Sequence, residues 1–80
     1  MGAMSDLDDC LPGVDAYSII TSHTPQEGTY GLCVTFANSG SPYGVDYGWI
    51  IQLALPTVGF LKFRRKINKD SWSSWVSPCP

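Results

Sequence analysis

Histidine and cysteine are both scarce in this 80-residue chain: one His23, and Cys10, Cys33 and Cys79. Each scarcity excludes something. A single imidazole in a proline-bearing loop, with no serine or cysteine in a nucleophile motif, does not make a catalytic triad. His23 beside Glu27 is an acid–base pair only by closeness in sequence, and the plainer reading is a surface histidine. The cysteines form no C-x-x-C pair and no Cys/His cluster, so the spacing of a zinc site is missing, and neither a metal nor a cofactor is expected. Their odd number is a poor disulfide framework. One bridge with a free thiol and three reduced thiols both stay open. Cys33 lies inside an apolar run and reads there as a small hydrophobe.

Charge is also thin. Five basic residues face seven acidic ones, for a net charge of -2 and a pI near 4.9. That balance argues against a phosphate-binding surface, so no nucleic-acid partner is expected. The one basic cluster, Lys62, Arg64, Arg65 and Lys66, reads as a solvated strand face. The longest apolar run, Trp49 to Leu55, is broken by Gln52 and is far shorter than a membrane span, so no membrane insertion is expected. Residues 1–4 have neither a charged leader nor an apolar stretch, and residues 1–5 read as an expression scar or linker ahead of one domain over 6–80.

Apolar residues make up 44% of the chain, which is enough for a small core. Ordering costs roughly 1.5 kcal/mol per residue, and burial in so small a domain offsets this only narrowly. Oligomers, metals or disulfides often supply the rest.

Alternation dominates the pattern. Ser5 to Cys10 suggests one short helical turn capped by Ser5 or Asp6, with Asp8 and Asp9 at its positive end and Leu7 and Leu11 on one side. The three aspartates lack the ligand spacing, glycine and distal glutamate of a calcium loop. Pro12-Gly13 marks a turn. Strands are predicted over Asp15–Thr21, Thr29–Ala37 and Trp49–Leu55, and from Phe60 to Ile67. In the second, Tyr30, Leu32, Val34 and Phe36 form a large apolar face, and Gly31, Cys33, Thr35 and Ala37 a small one. The contrast suggests a close neighbour on the small side. Trp49, Ile51, Leu53 and Leu55 share one face of the third strand, and Phe63, Arg65 and Ile67 one face of the fourth. Pro56 to Gly59 joins these two as an antiparallel hairpin. The fold class is mainly β: a small antiparallel meander of four to five strands with a short N-terminal helix. One helix cannot cover two apolar faces, so the uncovered side needs a partner, and copies of the same chain are the simplest source.

The order of these motifs resembles a known family. An acidic short helix, a Pro-Gly turn, an alternating strand and a glycine-rich loop precede W-I-I-Q-L-A-L, F-R-R-K-I-N and S-W-S-S-W. This is similar to the knob-like modules of bacteriophage tail fibres and R-type pyocin fibres, over about Asp6 to Trp75. The chain departs from the pattern at Asn68-Lys69-Asp70, where glycine is frequent, and at Asp15-Ala16, two residues where one is more common. The resemblance implies a homotrimeric, non-enzymatic module of the virion. It would be assembled in the bacterial cytoplasm and would attach to surface polysaccharide or protein of the host. The alternative is a purely structural spacer or trimerisation module of such a fibre or of a bacterial surface protein.

Candidate sites follow from that expectation. A sugar needs an aromatic plate and planar polar groups, and Asn38, Tyr43, Asp46 and Tyr47 offer both in one loop. The competing reading is a turn held by Asn38 and Asp46, with the tyrosines packed on a neighbour. Trp49, Phe63, Trp72 and Trp75 read as structural or interface aromatics. Arg65 reads as an architectural arginine that, if buried, needs Asp15, Asp46 or backbone carbonyls as a partner. A glycosidase pair of Glu27 and Asp46 has no support in spacing.

Overall fold

The computed structural model describes residues 5–25, 29–40, 42–43 and 46–77. Four strands form one antiparallel sheet in chain order: β1 (Gly13–Tyr17), β2 (Gly31–Ala37), β3 (Trp49–Pro56) and β4 (Lys62–Ile67). The predicted meander is therefore present. The predicted helix is a single 3-10 turn, Leu7–Asp9, capped by the Asp6 carboxylate, which accepts from the Asp8 N–H at 2.9 Å. A turn with three residues per repeat that stops at Asp9 cannot align Leu7 with Leu11. Leu7 is buried and Leu11 is exposed, and Cys10 takes the second inward place.

The first strand is displaced from its expected span, Asp15–Thr21. It ends at Tyr17 because Ser18 and Thr21 close a turn on themselves. The Thr21 N–H donates to the Ser18 carbonyl at 3.1 Å and the Ser18 N–H to the Thr21 hydroxyl at 3.0 Å. Such local hydroxyl bonds compete with the sheet ladder. Among the described residues the tail adds no fifth strand. It runs along the outer edge of β4, where Phe63 and Val76 exchange backbone bonds at 2.9 Å and the Ser73 N–H donates to the Arg65 carbonyl at 2.8 Å. That contact occupies an edge that would otherwise offer unpaired backbone groups.

Alternation sorts the side chains into two faces. One face carries Tyr17, Cys33, Thr35, Ile50, Gln52, Ala54 and Arg64, all buried. The 3-10 turn, the Ser18–Pro25 segment and the two tail tryptophans lie over it. Among the described residues, no segment lies over the other face. Its positions are Val14 and Ala16 from β1, Leu32, Val34 and Phe36 from β2, Trp49, Ile51, Leu53 and Leu55 from β3, and Phe63, Arg65 and Ile67 from β4. Every one is apolar except Arg65. The molecule measures 35 × 33 × 17 Å, and its short dimension fits one sheet with one covering layer.

Close approach explains a glycine on the covered face. A Cβ at Gly31 would lie 2.5 Å from the Tyr17 Oη and 2.7 Å from the Leu55 carbonyl oxygen. Gly31→Ala is expected to destabilise the chain by about 2 kcal/mol through overpacking, read as a lower urea midpoint. An unchanged midpoint would show that Tyr17 is free to move aside.

Candidate functional site

The covered face is built around an arginine. Arg64 is only 3% exposed. It lies beside Gln52 in the β3–β4 register, and its Nε donates to the Gln52 Oε1 at 2.7 Å. The Gln52 Nε2 donates in turn to the Leu7 carbonyl at 2.6 Å and to the Thr35 hydroxyl at 3.3 Å. One Arg64 terminal nitrogen lies 2.8 Å from the Asp8 carboxylate. The guanidinium stacks on Trp72 at 4.0 Å and on Trp75 at 4.7 Å, a geometry in which the ring faces attract the cation. The expected solvated basic face is corrected here: Arg64 is central to the interior, because its register partner Gln52 points under the cover.

His23 closes the network from outside. Its Nδ1 is 2.7 Å from Asp6 and 3.4 Å from Asp8, and its carbonyl accepts the Trp75 indole N–H at 2.9 Å. Asp6, Asp8 and His23 lie close enough together to hold a cation, yet the His23 ring nitrogen and Arg64 already engage both carboxylates. Glu27, the sequence partner of His23, lies outside the described residues.

The four loop candidates do not act together. Both ends of the Asn38 amide are spent on the loop: its Nδ2 donates to the Tyr47 carbonyl at 2.7 Å, and its Oδ1 accepts from the Trp49 N–H at 2.9 Å. Tyr43 turns inward, and its hydroxyl donates to the Cys10 carbonyl. Burial first, then the nearby Cys10, pushes the Tyr43 phenol up to about 12. Asp46 is exposed beside Lys69 at 3.6 Å. Tyr47 is exposed and held in the left-handed region at φ 63, with its N–H on the Asn68 side-chain oxygen at 2.7 Å. Next to this loop, Phe36, Ala37, Asn38, Trp49 and Ile51 line a shallow, mostly apolar recess of about 270 Å³.

The aromatics divide by face. Trp72 and Trp75 clasp Arg64, while Trp49 and Phe63 stand on the open face. Arg65 is exposed on that open face. Asp15, a proposed partner for it, projects from the opposite one, and Asp46 is beside Lys69. Sequence reasoning overlooked Arg64, Gln52 and Asp8. The usable signal was the shared phase of Gln52 and Arg64 with the small residues of β2. No known family, curated protein or solved structure matches the chain.

Two outcomes follow. Arg64→Ala leaves Asp8 and Gln52 without their partner and is expected to cost about 3 kcal/mol of unfolding free energy. Arg65→Ala is expected to stay within about 0.5 kcal/mol in dilute solution. Equal losses in urea titrations would contradict this division. The pH dependence has two limbs. The hydrogen bond to Asp6, helped by Asp8, raises the His23 pKa above its ordinary 6.5. Its contribution is therefore full below 6.5 and fades as pH rises through the raised value. Burial opposes ionisation of Asp6, but the Asp8 N–H, His23 and Arg64 together bring it below 3.8. Its contribution is full above 3.8 and is lost as pH falls through the lowered value. Melting temperature should peak between these limits, and His23→Gln should remove the upper limb and shrink, without abolishing, the lower one. An unaltered upper limb in that variant would exclude His23 as its source.

Proposed function

We propose that the chain is a non-enzymatic module that completes itself by assembling with copies of its own kind, in the manner of a homotrimeric phage tail-fibre knob. The observation that carries this reading is the open face of the sheet. Phe36 is 55% exposed, Trp49 51% and Ile51 47%. With Val14, Leu32, Leu55 and Ile67 they leave roughly 600–700 Å² of apolar surface in one continuous patch, above what a soluble monomer ordinarily shows. Two such faces in contact would bury roughly 1,300 Å², within the ~1,200–2,000 Å² of specific, stable interfaces. Around a threefold axis each copy would instead divide this patch between two neighbours, because identical faces meeting directly close as a dimer. Arg65 sits on β4, the strand at the end of the sheet, where a charge can stay at the rim.

The tail-fibre reading adds what such an assembly is for: attaching a virion to glycan or protein on a bacterial surface. Its support is the motif order, together with Tyr47, which stands exposed in the loop ahead of β3. The spacer reading has its own observation. Asn38 and Tyr43, half of the candidate binding loop, are engaged within the chain.

Sedimentation equilibrium at micromolar concentration is expected to give three times the 8.7 kDa chain mass. Ile51→Lys should reduce it to the chain mass without changing the far-ultraviolet spectrum. A wild-type chain that stays at 8.7 kDa would contradict self-assembly. Binding of the assembled chain on an array of bacterial glycans, lost in Tyr47→Ala, would support attachment over spacing. No binding to any glycan would favour the spacer.

A further inference from the structure

The covered face holds a pair of nucleophiles that neither the network around Arg64 nor the open face uses. Cys10 ends the 3-10 turn, and Cys33 lies at the middle of β2. Both have no exposed surface, and both belong to one buried cluster with Leu7, Tyr17 and Ala54. Within that cluster the two thiols are close enough for each to be the largest influence on the other's ionisation. The covering segment and the sheet thus bring a free, buried thiol from each side into one cluster.

We propose that Cys10 and Cys33 are a disulfide-forming pair, which a small disulfide such as oxidised glutathione converts into a covalent staple between the N-terminal segment and β2. The two sulfurs are not equivalent. Cys10, together with Thr35 and Arg64, lowers the Cys33 pKa against the effect of burial. Cys33, with burial, raises that of Cys10. Cys33 is therefore the attacking thiolate. It forms a bond to one sulfur of glutathione disulfide, whose S–S bond breaks and releases one glutathione thiolate, which takes up a proton. Cys10 then loses its proton and attacks the Cys33 sulfur of the mixed disulfide, expelling the second glutathione. Two protein thiols are oxidised and one glutathione disulfide is reduced to two thiols. Because both sulfurs are fully covered, the first attack waits on lifting of the covering segment, and the staple then prevents that lifting. This proposal does not rest on the assembly reading.

The test uses the full chain with Cys79→Ser, so that only these two thiols remain. The reduced chain is refolded in glutathione disulfide and, separately, incubated with it after folding. In both arms the intact mass is expected to fall by two hydrogens with no retained glutathione. The proteolytic map should contain a peptide pair joined through Cys10 and Cys33. Closing a loop of roughly two dozen residues should raise the melting temperature by roughly 10 °C or more. Adding Cys10→Ser should stop the reaction at a stable glutathione adduct on Cys33. The proposal is overturned if both thiols stay titratable after refolding with the oxidant, if the double-thiol chain keeps a glutathione adduct, or if the cross-linked chain melts no higher than the reduced one.

Discussion

Everything on the covered face is arranged around one buried cation. A guanidinium taken out of water is costly unless its charge is met and its donors are filled. Asp8 meets the charge of Arg64, Gln52 accepts its Nε–H, and two indoles lie against its plane. Those partners come from three separate parts of the chain: the 3-10 turn, β3 and the tail. Holding Arg64 therefore requires all three pieces to close on β4. Gln52 extends the arrangement by holding the Leu7 carbonyl, which brings the only hydrophobic anchor of the turn down onto the sheet. His23 ties the remaining loop to the same carboxylates and, through its carbonyl, to Trp75.

This choice decides what happens on the opposite side. The covering layer is thin, a turn, the Ser18–Pro25 segment and two tail aromatics, and β2 presents only small residues to it: Gly31, Cys33 and Thr35. The large residues alternate with these, so they are committed to the other face by the pleat itself. The open face therefore carries Leu32, Phe36, Trp49, Ile51 and Leu55, each at least a third exposed. The proposed assembly follows from that imbalance more than from any single motif.

Much of this was legible in the sequence, and some of it was not. The phases of β2, β3 and β4 follow from alternation, and the contrast between Leu32-Val34-Phe36 and Cys33-Thr35 already pointed to a close neighbour on the small side. Which arginine goes inside was not legible, because Arg64 and Arg65 have equal claim by composition. Only the pairing of Arg64 with Gln52, set by strand register, separates them. The end of β1 was misplaced because Ile19 and Ile20 look like strand residues, whereas the hydroxyls of Ser18 and Thr21 take the backbone first. The loop carrying Asn38, Tyr43, Asp46 and Tyr47 reads as one site in sequence. In space Tyr43 faces Cys10 while Tyr47 faces solvent, a separation that depends on contacts more than thirty residues apart.

The central claim is that the chain covers one face of its sheet by itself and needs identical chains to cover the other. Hydroxyl-radical footprinting of the three tryptophans, from nanomolar to high micromolar concentration, tests it most directly. The account predicts that Trp49 becomes protected as concentration rises, while Trp72 and Trp75 keep the same partial protection throughout. A Trp49 that stays equally reactive at every concentration would contradict it.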